Sequence, residues 1–215
     1  MNSRLKMWLF SAVIYTLFVF WYTDIGGPMS TTEVDNWVEK MNAKGSDPEL
    51  INYLEGFLRN DTGRQFLMLN AVEMNPNPPH VEGAEPGETA DQLMNRYLAH
   101  ILPELLQRAS HPAFLGDAVF SAVDIVGIEN AESWDSGALF RYRSRRSFSE
   151  ILAHPNLGAS HDFKIAALNK TIAYPIETSF YPGDPRLILG LLLLTITALL
   201  DGLVISPKLS KRESK

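Results

Sequence analysis

The strongest constraint on this chain is an apolar run near its C-terminus, residues 187–205. Its 19 positions contain one charged residue, Asp201. A helix of about 20 residues crosses the hydrocarbon core of a bilayer. The run therefore predicts a transmembrane helix over residues 185–207, followed by a basic cytoplasmic tail over residues 208–215.

A second apolar run, residues 7–22, lies close to the N-terminus and follows Arg4 and Lys6. It is shorter than the usual span of about 17–25 residues, but a snorkelling Lys6 and the Trp21 ring extend it to the interface. A cleaved signal peptide gives a similar pattern. We favour an uncleaved anchor over residues 1–22, because the run ends in bulky aromatic residues and lacks a small-residue cleavage site.

Charge is divided unevenly between the ends and the middle of the chain. Both tails are basic, whereas residues 23–185 contain 12 Lys and Arg against 23 Asp and Glu, a net charge of −11. Basic flanks of membrane spans stay in the cytoplasm. We therefore expect both termini to be cytoplasmic and the middle domain to be extracytoplasmic, which means periplasmic in a bacterium. The acidity excludes nucleic acid as a partner.

Hydrophobic periodicity predicts an α+β middle domain behind an N-terminal helical extension. The predicted elements after the extension are a strand over 64–74, a helix over 89–109, strands over 114–128 and 138–145, a helix over 146–155 and a strand over 164–177. The order β-α-β-β-α-β is that of a ferredoxin-like fold. The domain boundaries that follow are 1–22, 23–63, 64–184, 185–207 and 208–215.

The predicted strands over 64–74 and 138–144 carry large side chains on both faces. Two helices cover only one face of such a sheet. An apolar face without cover favours a partner. We expect the domain to pair sheet-to-sheet with a second copy, or to dock on another subunit.

Four arginines stand within residues 139–148, LFRYRSRRSF. On a strand, Arg141 and Arg143 share one face, and Phe140 and Tyr142 share the other. If the aromatic rings face the helices, the two arginines project into the barrel interior or a dimer seam.

Asn70 on the first strand is expected on the same side as Arg141 and Arg143. The three side chains form a candidate ligand-binding set for an acidic or carbonyl ligand. The alternative, which we favour, is that the arginines make intersubunit salt bridges to acids such as Glu73 or Asp124. Arg145 and Arg146 open the next helix and are expected to face solvent.

Other chemistry is sparse. The five histidines lack metal-ligand spacing, and the sequence has no nucleophile motif or phosphate loop, so we predict no metal and no cofactor, and the sequence identifies no catalytic residue. HDFK, residues 161–164, is expected in a loop, where His161 could assist proton transfer, but we favour a plain loop or cap role for the histidines. Asp201 is either an interfacial residue or a contact to a neighbouring membrane helix.

The segments GRQFLMLNAVEM, RYLAHILPELLQRASHPAFLG, WDSGALFRYRSRRSF and KIAALNKTIAYPIE resemble dimeric α/β-barrel domains of unknown function. These domains are related in fold to small antibiotic-synthesis monooxygenases and stress-response barrel proteins. The resemblance covers about residues 50–177, and its more specific marks are the RYRSRR block and the asparagine after the first strand. It implies a ferredoxin-like fold that dimerises.

These features predict a membrane-anchored extracytoplasmic α/β-barrel domain that acts as an assembly or accessory subunit of a membrane protein complex. Its expected partners are the bilayer and either a second copy or another subunit. The alternative is a small-molecule-binding protein, or a cofactor-independent oxygenase or isomerase, that uses a barrel pocket.

Overall fold

The computed structural model describes residues 3–155 and 157–205, so the basic tail predicted over 208–215 lies outside the described residues. The chain forms two compact units. One comprises Met1–Thr23 with Ser179–Lys215, and the other comprises Asp24–Thr178. The class is α+β, as predicted.

The described residues form seven α-helices and four strands. In chain order they are α1 Ser3–Tyr22, α2 Thr31–Ala43, α3 Pro48–Arg59, β1 Phe66–Met74, α4 Ala90–Gln107, β2 His111–Asp117, β3 Ser136–Tyr142, α5 Arg145–Leu152, α6 Leu157–Ala167, β4 Leu168–Ile176 and α7 Pro185–Leu200. A π-helical turn, Asp201–Ile205, continues α7.

Local sequence signals set the starts of the helices in the extension. Ser30 caps α2 in a capping box with Glu33, in which each side chain accepts a hydrogen bond from the other residue's backbone N–H. Asp47 caps α3, and Pro48 occupies the first turn, where a missing N–H costs nothing. These caps satisfy backbone groups that a helix start leaves unpaired.

The four strands form one antiparallel sheet in the order β2-β3-β1-β4. The central strand β1 pairs with β3 on one side, where Phe66 lies opposite Tyr142, and with β4 on the other, where Leu67 lies opposite Ile176. Two helices, rather than the single predicted one, connect β3 to β4.

The strand predicted over 114–128 begins earlier and is much shorter. β2 ends at Asp117, and residues 118–135 are irregular. Its partner β3 is only 7 residues long, so the ladder ends where β3 begins. Gly127 and Asn130 adopt positive φ angles of 72° and 55°, which turn the chain. The alternation of apolar residues there is typical of a strand, but a strand also needs a neighbouring strand with which to form hydrogen bonds.

The predicted start of the last strand is wrong, because residues 164–167 belong to α6. Ala166 and Ala167 are buried in a cluster with Leu93 of α4 and Phe163, so packing against α4 favours the helix. HDFK therefore lies on a helix and not in a loop.

The main core lies between the sheet and α4 and α5. Phe66 stacks on Tyr142 with ring centroids 5.1 Å apart, and Phe148 of α5 meets Tyr142 edge-on at 5.1 Å. Ile101 and Leu105 of α4 complete the cluster. The face of the sheet that carries Phe66 and Tyr142 is therefore the helix-covered face.

The extension packs against α5. Trp37 and Met41 of α2, together with Ile51 and Leu58 of α3, form a buried cluster with Ala153. The indole Nε1 of Trp37 donates to a backbone carbonyl of α5, that of Ser149, at 3.0 Å. The extension is thus part of the same compact unit as the sheet.

Candidate functional site

Arg141 is completely buried. It lies opposite Leu67 of β1, on the sheet face away from the Phe66–Tyr142 stack. Its Nε donates to Gln65 Oε1 at 2.9 Å, and its Nη1 donates to the backbone carbonyl of Ala109. The guanidinium thus links the start of β1 to the end of α4 beneath β3.

The structure does not bring Asn70 together with Arg141. Asn70 lies three residues beyond Leu67, so its side chain projects from the opposite face of the sheet. Its amide Nδ2 donates to the Met68 carbonyl at 3.0 Å. The expectation of a shared side is wrong, because it depended on how the faces of β1 and β3 match. The role of these residues in ligand binding stays a prediction.

Arg143 lies just beyond the end of β3 and not within the strand. Its backbone N–H donates to the Ser110 hydroxyl at 3.1 Å. Since Ser110 is fully buried, this bond holds the chain between β3 and α5 close to the start of β2.

The prediction that Arg145 faces solvent is wrong. Its Nη1 donates to the carbonyls of Phe57 and Asn60 at the end of α3, at 2.6 and 2.7 Å. Its guanidinium lies 4.3 Å from the centre of the Phe57 ring. Its Nη2 also donates to Glu177 Oε1 at 3.1 Å. Arg145 therefore closes the C-terminal end of α3, where unpaired carbonyls attract a cation.

Arg146 makes the same kind of tie to the start of α2, and the prediction that it faces solvent is also wrong. It donates to Glu33 Oε1 at 2.7 Å and to Asp24 Oδ2 at 2.9 Å. The hydrogen bond from Arg146, together with the Ser30 N–H, lowers the pKa of Glu33 to about 2. Burial by itself would raise the pKa of Asp24. Hydrogen bonds from Ser144, the Gly26 N–H and Arg146 outweigh this and lower the pKa.

A second group of titratable side chains lies between α4 and α6. The Tyr97 and His161 rings are 6.5 Å apart edge-on, and Lys164 Nζ lies 5.7 Å from the Tyr97 ring centre. Burial raises the pKa of Tyr97 to about 12 and lowers the pKa of Lys164. Burial and the nearby Lys164 also lower the pKa of His161. These contacts pack α6 onto α4.

An open cleft of about 730 Å³ lies beside the end of β1 and the start of α4. Its lining includes four carboxylates: Glu73, Glu88, Asp91 and Asp135. Glu73 pairs with Lys170 at 3.2 Å, and Glu88 accepts from Arg96 Nε at 2.8 Å. The described residues contain no group of side chains suited to holding a metal ion. None of Asn70, Arg141 and Arg143 lines this cleft.

The face of the sheet opposite the helices carries apolar side chains outside the core clusters. We call this set the open face; it consists of Leu69, Leu139, Ile172, Tyr174 and Ile176. Ile172 and Tyr174 on the edge strand β4 are 42% and 46% exposed. At its rim Glu73 and Lys170 lie opposite each other and form an ion pair. The open face is thus apolar, with a mutually neutralising ion pair at its rim and the buried Arg141 guanidinium at its other end.

In the other unit, α1 and α7 contact each other through polar groups. Arg4 Nε donates to Asp201 Oδ2 at 2.8 Å, and Trp8 Nε1 donates to the same oxygen at 3.3 Å. The hydroxyls of Ser11 and Thr197 are 2.7 Å apart. Of the two expectations for Asp201, the structure shows a contact to the other apolar helix.

The outward sides of α1 and α7 are apolar. α1, and α7 with its continuation to Leu203, are long and apolar enough to cross a membrane, and only 6% and 11% of the residues in their most apolar stretches are buried. Phe10 and Leu17 of α1 are more than 60% exposed, and Leu191 and Leu199 of α7 are each 55% exposed. In a water-soluble helix pair, apolar side chains face each other and polar side chains face water. The α1–α7 pair has the reverse arrangement.

The comparisons with known proteins inform on the fold alone. No protein-family model and no curated protein matches the chain. Among solved structures, it is similar to the methylated RPA0582 protein, with a TM-score of 0.51 and 20% identity over 64% of this chain and 95% of that one. This likeness supports the α+β fold.

Two further structures are similar over less. RPA0582, a protein of unknown function from Rhodopseudomonas palustris, has in another crystal structure a TM-score of 0.49 at 19% identity, covering 63% of this chain and 95% of that one. The protein At3g17210 from Arabidopsis thaliana has a TM-score of 0.34 at 16% identity, covering 54% and 97%.

Proposed function

We propose that this protein is a membrane-anchored domain that acts by assembly. α1 and α7 hold a ferredoxin-like domain at the extracytoplasmic face of a bilayer. The domain pairs its open face with a second copy or with another subunit of a membrane complex. The observation that carries the proposal is the open face itself, which is apolar, has a mutually neutralising ion pair at its rim and lies outside the core clusters of the described residues.

The inverted polarity of α1 and α7 supports the anchoring. In hydrocarbon, apolar side chains gain nothing by facing each other, so helices associate through close packing and hydrogen bonds. The contacts of Arg4 and Trp8 with Asp201 and of Ser11 with Thr197 are of this kind. Close packing occurs at Gly190, where a Cβ atom would lie 3.1 Å from the Tyr15 ring.

The strand order supports a ferredoxin-like topology. β3 lies between β1 and β2, which α4 connects, and β1 lies between β3 and β4, which α5 and α6 connect. Both β-α-β units are therefore split by an inserted strand, as in that fold.

Charge supports the choice of the open face for pairing with a second copy. Residues 24–178 contain 12 Lys and Arg against 22 Asp and Glu, a net charge of −10. Most surfaces of two copies would therefore repel each other. The open face avoids this cost, because its rim charges, Glu73 and Lys170, already neutralise each other.

The acidity of the middle and the basic tails support an extracytoplasmic domain with both termini in the cytoplasm. The alternative of a ligand pocket around Asn70, Arg141 and Arg143 has less support, because Asn70 lies on the other face of the sheet.

Assembly is tested on the full chain, extracted in mild detergent, by native mass spectrometry. We expect the wild type as a dimer or bound to another subunit, and the double variant Ile172→Lys, Tyr174→Lys as a monomer. Tyr53→Lys, at a position of α3 that is 77% exposed, is the matched control and should assemble normally. A lone monomer for the wild type would exclude the proposed function.

The orientation is tested separately. The chain contains no cysteine, so single cysteines can be introduced as labels. In intact cells, a maleimide that cannot cross the bilayer should react with Tyr53→Cys and not with Lys215→Cys. The opposite pattern would place the domain in the cytoplasm.

A further inference from the structure

Asp117, the last residue of β2, and the irregular connection to β3, residues 118–135, are here called the acidic arm. It contains five acidic residues, and the sequence from 109 to 140 has no Lys or Arg. All five carboxylate residues are exposed: Asp117, Asp124, Glu129, Glu132 and Asp135. The arm therefore presents negative charge and has no basic residue of its own.

The arm is held at its base by specific contacts. Backbone hydrogen bonds of 2.8 Å join Ala118 N to Asp135 O and Ala122 N to Glu132 O. The ammonium of Lys170 lies 4.8 Å from the centre of the Trp134 ring. The arm thus continues the β2–β3 hairpin in an irregular form, with a defined conformation.

Large apolar side chains of the arm point into solvent. The exposed fractions are 98% for Val119, 82% for Phe120, 95% for Val123 and 83% for Val126. These exceed the values on the open face. A folded protein rarely leaves such side chains together in water unless another surface covers them.

The patch continues onto β2, which is an edge strand with a neighbour on one side only. Phe114 and Leu115 of this strand are 57% and 64% exposed. An edge strand offers backbone N–H and C=O groups to an extended segment, and exposed side chains beside it give that segment its specificity.

We infer that the acidic arm and the edge of β2 form a docking surface for an extended segment of another protein, one that alternates apolar side chains with Lys or Arg. This inference rests on the proposed function, since it names the chemistry of a partner other than a second copy.

Charge selects this occupant over two others. A second copy would bring another acidic arm and a domain of net charge −10, which repels the five carboxylates. Anionic lipid repels them in the same way, and Asp124 would have to follow Val123 into the headgroup region. A basic segment instead gains opposite charge around an apolar centre.

The test uses the full chain in nanodiscs of zwitterionic phosphatidylcholine at physiological ionic strength. The probes are two labelled synthetic peptides, one of alternating lysine and valine and one of alternating glutamate and valine. Fluorescence anisotropy should show binding of the lysine peptide only. The variant Val119→Ser, Phe120→Ser, Val123→Ser keeps every charge, and we expect it to weaken binding about tenfold or more. Tyr53→Ser is the matched control.

Three results would overturn the inference. The first is that neither peptide binds. The second is equal binding of the lysine peptide to the triple serine variant, which would reflect general attraction to an acidic domain. The third concerns the occupant and uses a polarity-sensitive dye attached to Phe120→Cys. The dye should enter an apolar environment only when the lysine peptide is added. A change already present in nanodiscs without peptide would mean that lipid or a second copy covers the patch.

The two proposals can fail separately. The variant Ile172→Lys, Tyr174→Lys should lose assembly through the open face and keep its affinity for the lysine peptide. Loss of peptide binding with intact assembly in the triple serine variant would confirm that the arm is a second, independent surface.

Discussion

The junction between the extension and α5 has apolar side chains inside and charged side chains at its rim, whereas the α1–α7 pair has the opposite arrangement. At the junction Trp37 is buried, and Arg146 binds Glu33 at the edge. Between α1 and α7, Asp201 is 7% exposed and accepts from Arg4, while large apolar residues face outward.

The two arrangements suit different surroundings. In water, burying apolar area provides the free energy, and rim charges add little unless they are partly buried. In an apolar medium, apolar side chains gain little by contacting each other. Hydrogen bonds and ion pairs between polar groups then decide which helices associate. Substitutions in each region, and acid at the junction, test this contrast.

The largest effect is expected at the junction. Trp37→Ala removes a buried ring and its hydrogen bond to Ser149, and we expect it to lower the free energy of unfolding by about 3–5 kcal/mol. Thermal unfolding of the full chain in detergent, followed by circular dichroism, measures this. Tyr53→Ala, an exposed aromatic on the same extension, should unfold like the wild type. Similar losses in both variants would contradict an apolar junction.

The next effect is expected between α1 and α7. Asp201→Ala leaves Arg4 without this carboxylate, and we expect it to weaken the pairing of the helices by about 1 kcal/mol. The measurement is oxidative disulfide trapping between Ser11→Cys and Thr197→Cys, whose native hydroxyls are 2.7 Å apart. Adding Arg4→Leu to the Asp201→Ala variant should restore disulfide formation between the two cysteines.

A control for that experiment uses outward positions. Leu9→Cys and Leu192→Cys replace residues that are 44% and 54% exposed, and this pair should not form an intramolecular disulfide. Equal trapping with and without Asp201→Ala would show that the ion pair does not hold the helices together.

A smaller effect is expected from acid. The folded pKa of Glu33 is about 2 against an ordinary 4.5, so its pairing with Arg146 stabilises the junction fully above pH 4.5 and is lost as the pH falls from there towards 2. Fluorescence of the junction Trp37 should follow this loss. Glu33→Gln should be less stable at neutral pH and less sensitive to acid. If Glu33→Gln lost stability in acid to the same extent as the wild type, Glu33 would not be the group whose protonation weakens the junction.

The smallest effect is expected for a solvent-exposed ion pair of the extension. Arg59 binds Asp35 at 2.5 Å and Glu55 at 2.7 Å, but its side chain is 38% exposed. Exposed pairs contribute little, because water solvates the separated charges almost as well. Arg59→Ala should therefore unfold at the wild-type temperature, whereas Arg146→Ala should unfold lower. Equal losses would show that burial does not distinguish the two arginines.

The relative faces and the lengths of the strands could not be predicted from the sequence alone. Alternation along β3 correctly separates Arg141 from Tyr142. It does not tell which face of β1 meets which face of β3, so the position of Asn70 relative to Arg141 could not be predicted. The length of β2 was overestimated for a related reason, since the extent of a strand depends on its neighbour.

The arginines after β3 could not be assigned for a different reason. Arg145 and Arg146 open α5, and in an isolated helix both would face water. Their partners lie 85–122 residues away in the sequence, at Asn60, Glu33 and Asp24. Only the packing of the extension on α5 brings these groups together.

The amino-acid sequence is enough to predict the two long apolar helices, the acidic middle and the α+β class, and local signals set the capped starts of α2 and α3. These features depend on composition, periodicity and contacts within a few residues. Tertiary structure alone decided the register of the sheet, the partners of the arginines, the contact of Asp201 with α1 and the exposure of the acidic arm. The reason is that pairing between distant segments is set by the packing of the whole chain, which no local pattern encodes.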